Sequence, residues 1–461
     1  MGIIKEVFNA KTRSLKRECG GFSFGETAGT GSKKCSGEGK NCEIQDGVLT
    51  TGVGLVIYRI DNGDELPLAA NLPAADSFFY VYEKADEGDG YSKRLGFLSA
   101  AGSAYIYDFA LDAFALWHTF GGRMKTVLAM DEAETPVTLF VGEAGVFAYA
   151  NEGVVETEIV EASPIACTFK DRVFCVDAPF YVRYSALLNP TDFSEKIDGG
   201  GRFCFPSEAG EIVGLLPFQE KIFVLYERGL SSFLAAGAPR DFRLEKIEYG
   251  GGKIFGSSAG VCSVGGEKAF FLAEDGLYRF DGEKVKKICL GLNISPLRGG
   301  QVCVHAEFEG KYFLIFTDKN GEKRAIVVDA ESEEGYYAFA PESVGQAGGQ
   351  ALCALQNKVR LLCLDGDLPS GEEYVFLAKG LDFETDGVKT LKALSFTGEG
   401  AFTLTVSNGR TEKSCVVAFD GGRANVAIGL KGEIFSLKFV LEKGARVQKT
   451  EALLVKLDGV K

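Results

Sequence analysis

The sequence predicts an all-β protein: a β-propeller of six or seven blades followed by a C-terminal β-sandwich. Three observations predict it. Apolar runs are short, β-branched or aromatic, and cut by glycine, so they alternate as strands do and lack the longer i, i+3, i+4 pattern of helices. Hairpin-like segments recur at a period of about 45 residues, that of a four-stranded propeller blade. Beyond residue 371 the period stops, and shorter alternating strands follow.

Composition agrees with the first observation. The chain has 461 residues, of which 59 are Gly and 36 are Phe. Many glycines beside many aromatics mean many tight turns between strands that bury rings. The length suits two or three domains, or one repeat array with an added domain.

The repeat is clearest in three stretches. These are Val137-Thr-Leu-Phe-Val-Gly-Glu-Ala-Gly-Val-Phe-Ala-Tyr149, Lys221-Ile-Phe-Val-Leu-Tyr-Glu-Arg-Gly-Leu-Ser-Ser-Phe233 and Lys268-Ala-Phe-Phe-Leu-Ala-Glu-Asp-Gly-Leu-Tyr-Arg-Phe280. Each is an apolar strand, an acidic turn ending in Gly, then an alternating strand, which is the grammar of a hairpin. Weaker copies lie at 95–108, 172–184, 311–329 and 358–366. The turns fall at 102, 145, 179, 229, 276, 321 and 366, so spacings run from about 34 to about 50 residues. A propeller that leaves its first and last blades unjoined exposes strand edges. The strand Leu55-Val-Ile-Tyr58 is placed to complete the blade that ends near Leu364.

Three regions follow: a Gly-rich basic N-terminal arm over 1–45, the propeller over 46–371, and the sandwich over 372–461. Up to Lys40 the arm carries eight Lys or Arg against four Glu. It is too polar to bury a core of its own. It reads as a solvated arm, or as one that orders against an acidic neighbour or sister subunit. The sandwich strands are expected at 374–377, 391–396, 401–406, 414–419, 434–439 and 452–456, with turns at Asn408-Gly409 and Asp420-Gly421-Gly422.

Charge and cysteine usage bear on function. The formal net charge of −14 repels phosphate and argues against sequence-specific nucleic-acid binding. No apolar run reaches bilayer length, and Met1-Gly2-Ile3-Ile4-Lys5 lacks a secretion-signal core, so no membrane partner is expected and synthesis in the cytoplasm is. The 12 cysteines are expected as free thiols inside strands, as at Cys175, Cys303 and Cys363. Cys19, Cys35 and Cys42 have no nearby His to suggest zinc.

Little in the sequence points to chemistry. The two histidines, His118 and His305, lie in strand-like contexts and read as structural polar residues. Gly256-Ser257-Ser258-Ala259-Gly260 matches G-x-S-x-G, but a nucleophile elbow needs a helix after it, and a strand follows here. Asp365-Gly-Asp367 and Asp86-Glu-Gly-Asp89 could face a hard cation, yet acidic hairpin turns are common and the EF-hand spacing is missing. Asn293-Ile-Ser295 is a glycosylation sequon in a chain not expected to meet the enzyme. No catalytic, cofactor-binding or metal residues are assigned, no cofactor is expected, and the chain reads as a non-enzyme.

Four segments resemble the propeller-type stabilisation, or head-completion, proteins of tailed bacteriophages and prophages. Asn41-Cys-Glu-Ile-Gln-Asp-Gly-Val-Leu-Thr-Thr-Gly52 is similar to their start, where an arm enters the first blade. Tyr181-Val-Arg-Tyr-Ser-Ala-Leu-Leu-Asn-Pro-Thr-Asp-Phe193 resembles their x-R-[WY]-S-x-x-x-x-P-x-[DE]-[FW] segment. The stretches 211–229 and 274–282 resemble the next blades, and 398–406 and 432–439 the trailing sandwich. The Cys-containing Gly-rich arm and the region around Pro179 depart from the pattern. The resemblance implies a virion structural protein at the head–tail connection or tail, made in the host cytoplasm and working by protein–protein contacts. Its implied partners are portal, connector or tail proteins, and its own copies in a homo-oligomeric ring. Two other readings stand beside it: an intracellular interaction scaffold, and a carbohydrate-binding or carbohydrate-active propeller. The last sits poorly with a single Trp.

Overall fold

Glycine turns and alternating aromatics produce strands nearly throughout. The computed structural model describes residues 15–24, 34–35, 37–45, 48–58, 66, 72–73, 75–84, 90–150, 153–195, 199–261, 268–289, 292, 301–347, 349–364, 366–383 and 387–457. Among them the one helical element is a 3-10 turn, Pro239–Asp241. No helix of the described residues is long and apolar enough to cross a membrane. The chain divides into two compact units: 1–55 with 334–339 and 364–461, and 56–333 with 340–363.

The larger unit contains a succession of antiparallel sheets. Five have four strands in chain order, spanning 75–119, 124–156, 166–204, 212–247 and 254–288. A sixth contributes Gln301–Phe308, Lys311–Thr317 and Lys323–Asp329. A seventh has Ser343–Ala347, Gln350–Leu355 and Lys358–Cys363, and the strand Gly54–Ile57, whose 56–57 half belongs to this unit, pairs on its edge.

The hairpin logic explains the turns. Gly145 and Gly276 sit at φ 116° and 152°, where a Cβ would be strained. Six of the seven expected turns join the second and third strands of a sheet. The seventh expectation needs correction. Lys358–Cys363 is the third strand of its sheet, and the turn before it is Gln356-Asn357, at φ 53° and 58°. Two successive positive φ values are what a tight hairpin requires, and Asn tolerates them without glycine. Gly366 instead permits a close crossing of two backbones. A Cβ there would fall 2.2 Å from the Leu55 nitrogen, where the two segments meet through the Leu55–Asp367 bridge.

A lone four-stranded sheet cannot cover both of its apolar faces, so each packs on the next. Phe79, Val81 and Ile106 of the first sheet share a core with Met124, Phe140 and Tyr149 of the second. Similar cores join the second to the third, the third to the fourth, and the fourth to the fifth sheet. Phe270 of the fifth stacks on Tyr312 of the sixth with ring centroids 5.8 Å apart. Gln346 of the seventh donates from Nε2 to the Glu307 carbonyl of the sixth at 3.3 Å. Ala347, Leu352 and Val359 of the seventh then share a core with Phe78, Tyr80 and Phe97 of the first.

The smaller unit holds two sheets around one core. One pairs Leu15–Phe24 with Arg446–Leu457, then Lys389–Glu399 and Arg423–Gly432. The other runs from Gly37–Lys40 through Tyr374–Leu381 and Phe435–Leu441 to Ala401–Ser407 and Glu412–Ala418. Leu391, Phe396 and Leu454 from one sheet meet Phe376, Phe402 and Phe439 from the other. Residues of the expected N-terminal arm thus supply strands to this unit. Arg423–Gly432 is a strand the sequence reading lacked.

Candidate functional site

The first strands of four sheets in the larger unit carry groups that act on one another. On 124–130, burial alternates imperfectly, and Lys125 stays open to water. On 301–308 the outward turn of the pleat places His305 and Glu307 on one face, since residues two apart share a face. Cys167 comes from 166–169 and Ser257 from 254–261.

These groups from the second, third, fifth and sixth sheets act on one another. His305 Nδ1 donates to the Ser257 carbonyl at 2.7 Å, which leaves Nε2 as an acceptor facing Glu307 Oε1 at 3.4 Å. Burial pushes His305 down to about 4, and the Lys125 charge adds to this. Burial pushes Glu307 up to about 7, against the opposing pull of Lys125. Lys125 is reached by water yet has many protein atoms around it, and the resulting desolvation lowers its pKa, while Cys167 and Glu307 work the other way. Cys167 is pushed up to about 12 by burial. A neutral imidazole and a protonated carboxyl can then share one proton-donor contact, from Glu307 to His305 Nε2.

Glycine makes the room. A Cβ on Gly260 would lie 1.6 Å from Glu307 Oε1, so the carboxyl occupies the space a side chain would need. A Cβ on Gly256 would lie 1.6 Å from the Val213 carbonyl oxygen, so two first strands approach at backbone distance there. The G-x-S-x-G match is therefore packing chemistry. Ser258, inside the strand, donates to the Phe255 carbonyl at 2.5 Å and accepts from the Leu272 N–H at 2.8 Å, so its hydroxyl is occupied.

A second feature is a cleft of about 460 Å³ lined by Glu248, Tyr249, Gly250, Gly251, Tyr278 and Glu283 with Lys284 and Val285. Its two tyrosine rings lie 5.5 Å apart. Tyr278 donates to Asp275 at 2.5 Å and Tyr249 to the Gly252 carbonyl at 2.7 Å. Burial raises both phenols. Burial opposes the charge of Asp275, but Tyr278, the Gly252 N–H and Lys287 hold its pKa below the usual carboxylate range.

The other residues singled out in the sequence are dispersed. His118 lies on the last strand of the first sheet, against Phe120 at 4.6 Å. Asp367 pairs with Lys443 at 2.7 Å. Cys42 is buried, and burial raises its thiol; Cys19 and Cys35 lie on strands. Asp86–Asp89, Asp365 and Asn293–Ser295 lie outside the described residues. Among the described residues no group of three or more His, Cys, Asp or Glu is arranged to hold a metal ion. Sequence reasoning took His305 alone and missed Lys125 and Glu307, because their meeting depends on sheets distant in the chain.

No known family model and no curated protein matches the chain.

Proposed function

We propose that the larger unit is a closed seven-bladed β-propeller, that the smaller is a β-sandwich, and that the chain is a virion structural protein of a tailed bacteriophage or prophage. In this reading it works at the head–tail connection or tail, joining portal, connector or tail proteins by protein–protein contacts, and is not an enzyme. Closure is supported by the shared core of the first and seventh sheets. Closure also removes the exposed edges that an open array would present.

The observation that carries the structural role is what the resembling residues do. In the segment 181–193, Arg183 pairs with Asp177 at 2.8 Å, and Ser185 Oγ accepts the Val173 N–H at 2.9 Å. The Ala186 N–H reaches the Asp192 carbonyl at 2.7 Å, and Phe193 is fully buried. In the segment 41–52, Asn41 is fully buried and Gly52 donates to its carbonyl at 2.8 Å. Both motifs are spent on building the fold, which suits a scaffold.

The test is co-expression with portal, connector and tail proteins of a tailed bacteriophage, followed by size-exclusion chromatography and electron microscopy. The expected result is a ring or a stable complex with one of them. A strictly monomeric protein that binds none of them and cleaves a glycan would overturn the reading.

A further inference from the structure

We propose that the cleft lined by Tyr249 and Tyr278 is a binding site for a neutral sugar, a monosaccharide or one unit of a longer glycan. Its volume of about 460 Å³ lies within the roughly 300–1,000 Å³ usual for small-molecule sites. The charges around it set the class of ligand. Glu248 and Glu283 disfavour an anion, and Lys284 disfavours a cation. All three are exposed, and none of their side chains makes a hydrogen bond or ion pair with any described residue.

What fits is a ligand that carries donors and acceptors without net charge. Each sugar hydroxyl is both donor and acceptor. The two carboxylates accept from hydroxyls, and the Lys284 ammonium donates to them. The backbone N–H and C=O groups of Gly250 and Gly251 make no hydrogen bond with any described residue, so they are open to a ligand as well. Tyr249 and Tyr278 supply apolar surface for the C–H groups of a sugar ring.

The walls are held in place before a ligand arrives, so little order has to be imposed on binding. The Tyr249 hydroxyl is tied to the Gly252 carbonyl at 2.7 Å and that of Tyr278 to Asp275 at 2.5 Å, and each phenol oxygen keeps an acceptor lone pair. Asp281 Oδ1 accepts the N–H groups of Glu283 and Lys284 at 3.1 and 2.8 Å, while its other oxygen holds Arg279 at 2.9 Å. The two glycines differ in what they allow. A Cβ on Gly251 would lie 2.4 Å from the Tyr249 hydroxyl oxygen and 2.6 Å from that of Tyr278, so only glycine passes beside both phenols. Gly250 also lines the cleft, but a Cβ there meets nothing within 4 Å, so a bulky side chain can be set at this wall without disturbing the fold.

The site does not depend on the assembly role: failure to form a complex with phage proteins leaves it standing. The experiment is saturation-transfer difference NMR on the full chain, with glucose, galactose, mannose and N-acetylglucosamine as probes. A free monosaccharide has no glycosidic bond to cleave, so the signal reads binding alone. At least one sugar is expected to bind, and neither arginine nor acetate should displace it. A Glu248→Ala, Glu283→Ala double variant should bind at least about tenfold more weakly, since it loses hydrogen bonds to charged acceptors. Gly250→Trp should abolish binding while its circular dichroism melt stays that of the wild type. Absence of binding by all four sugars, displacement by arginine or acetate, or undiminished binding by either variant would each overturn the proposal.

Discussion

Glu307 makes the stability of the larger unit depend on pH in a direction opposite to Asp329 and Glu333. Its pKa rises from an ordinary 4.5 to about 7 on folding. Between those values the native state holds a proton that the unfolded chain has lost, so stability falls as pH rises. The contribution is fully present below pH 4.5, and its loss is complete above pH 7. Its side chain is only 12% exposed, so solvent screening is modest. At 1.36 kcal/mol per pKa unit, the change is about 3 kcal/mol. Glu307→Gln keeps the shape and removes the titration, so the wild type should match the variant near pH 4.5 and fall about 3 kcal/mol below it by pH 8.5. Comparison with the variant is essential, because Asp329 and Glu333 have lowered pKa values and lose stability toward acid. The assay is urea unfolding followed by Trp117 fluorescence. Trp117 is the only tryptophan and packs within 5.3 Å of the Phe140 and Tyr149 ring centroids, so it reports this unit. Parallel curves for the two proteins from pH 5 to pH 9 would refute the reasoning.

Gly256→Ala would drive a Cβ into the Val213 carbonyl, at 1.6 Å from its oxygen and 2.1 Å from its carbon. Backbone must move, so a loss of about 3 kcal/mol is expected in the same urea assay. Lys311 and Asp329 form a buried pair at 2.6 Å. Lys311→Met strands the carboxylate and should cost about 3 to 5 kcal/mol, while a Lys311→Met, Asp329→Asn double variant should recover part of it. In the smaller unit, Asn41 donates to the Glu373 carbonyl at 2.9 Å and to Glu372 at 3.2 Å, and accepts the Phe339 N–H at 2.6 Å, all at φ 59°. Asn41→Ala should cost about 4 kcal/mol, at roughly 1 kcal/mol per hydrogen bond plus left-handed strain, read by circular dichroism during urea unfolding.

What the sequence by itself determined is local. Asp275-Gly276 and Ala144-Gly145 mark hairpins because positive φ and strand alternation are properties of a few adjacent residues. The strands of the smaller unit were legible for the same reason, at Ala401–Ser407 with its strict alternation of burial. Arg423–Gly432 escaped notice because Gly429, at φ 68°, breaks the alternation that Ala424 and Ile428 begin. The Gln356-Asn357 turn escaped because it carries no glycine. Only the tertiary structure decided that residues 15–24 pair with 446–457, and that Gly260 and Gln346 meet Glu307. Pairing partners and converging side chains depend on how sheets pack, and no nearby residue in the chain records that choice.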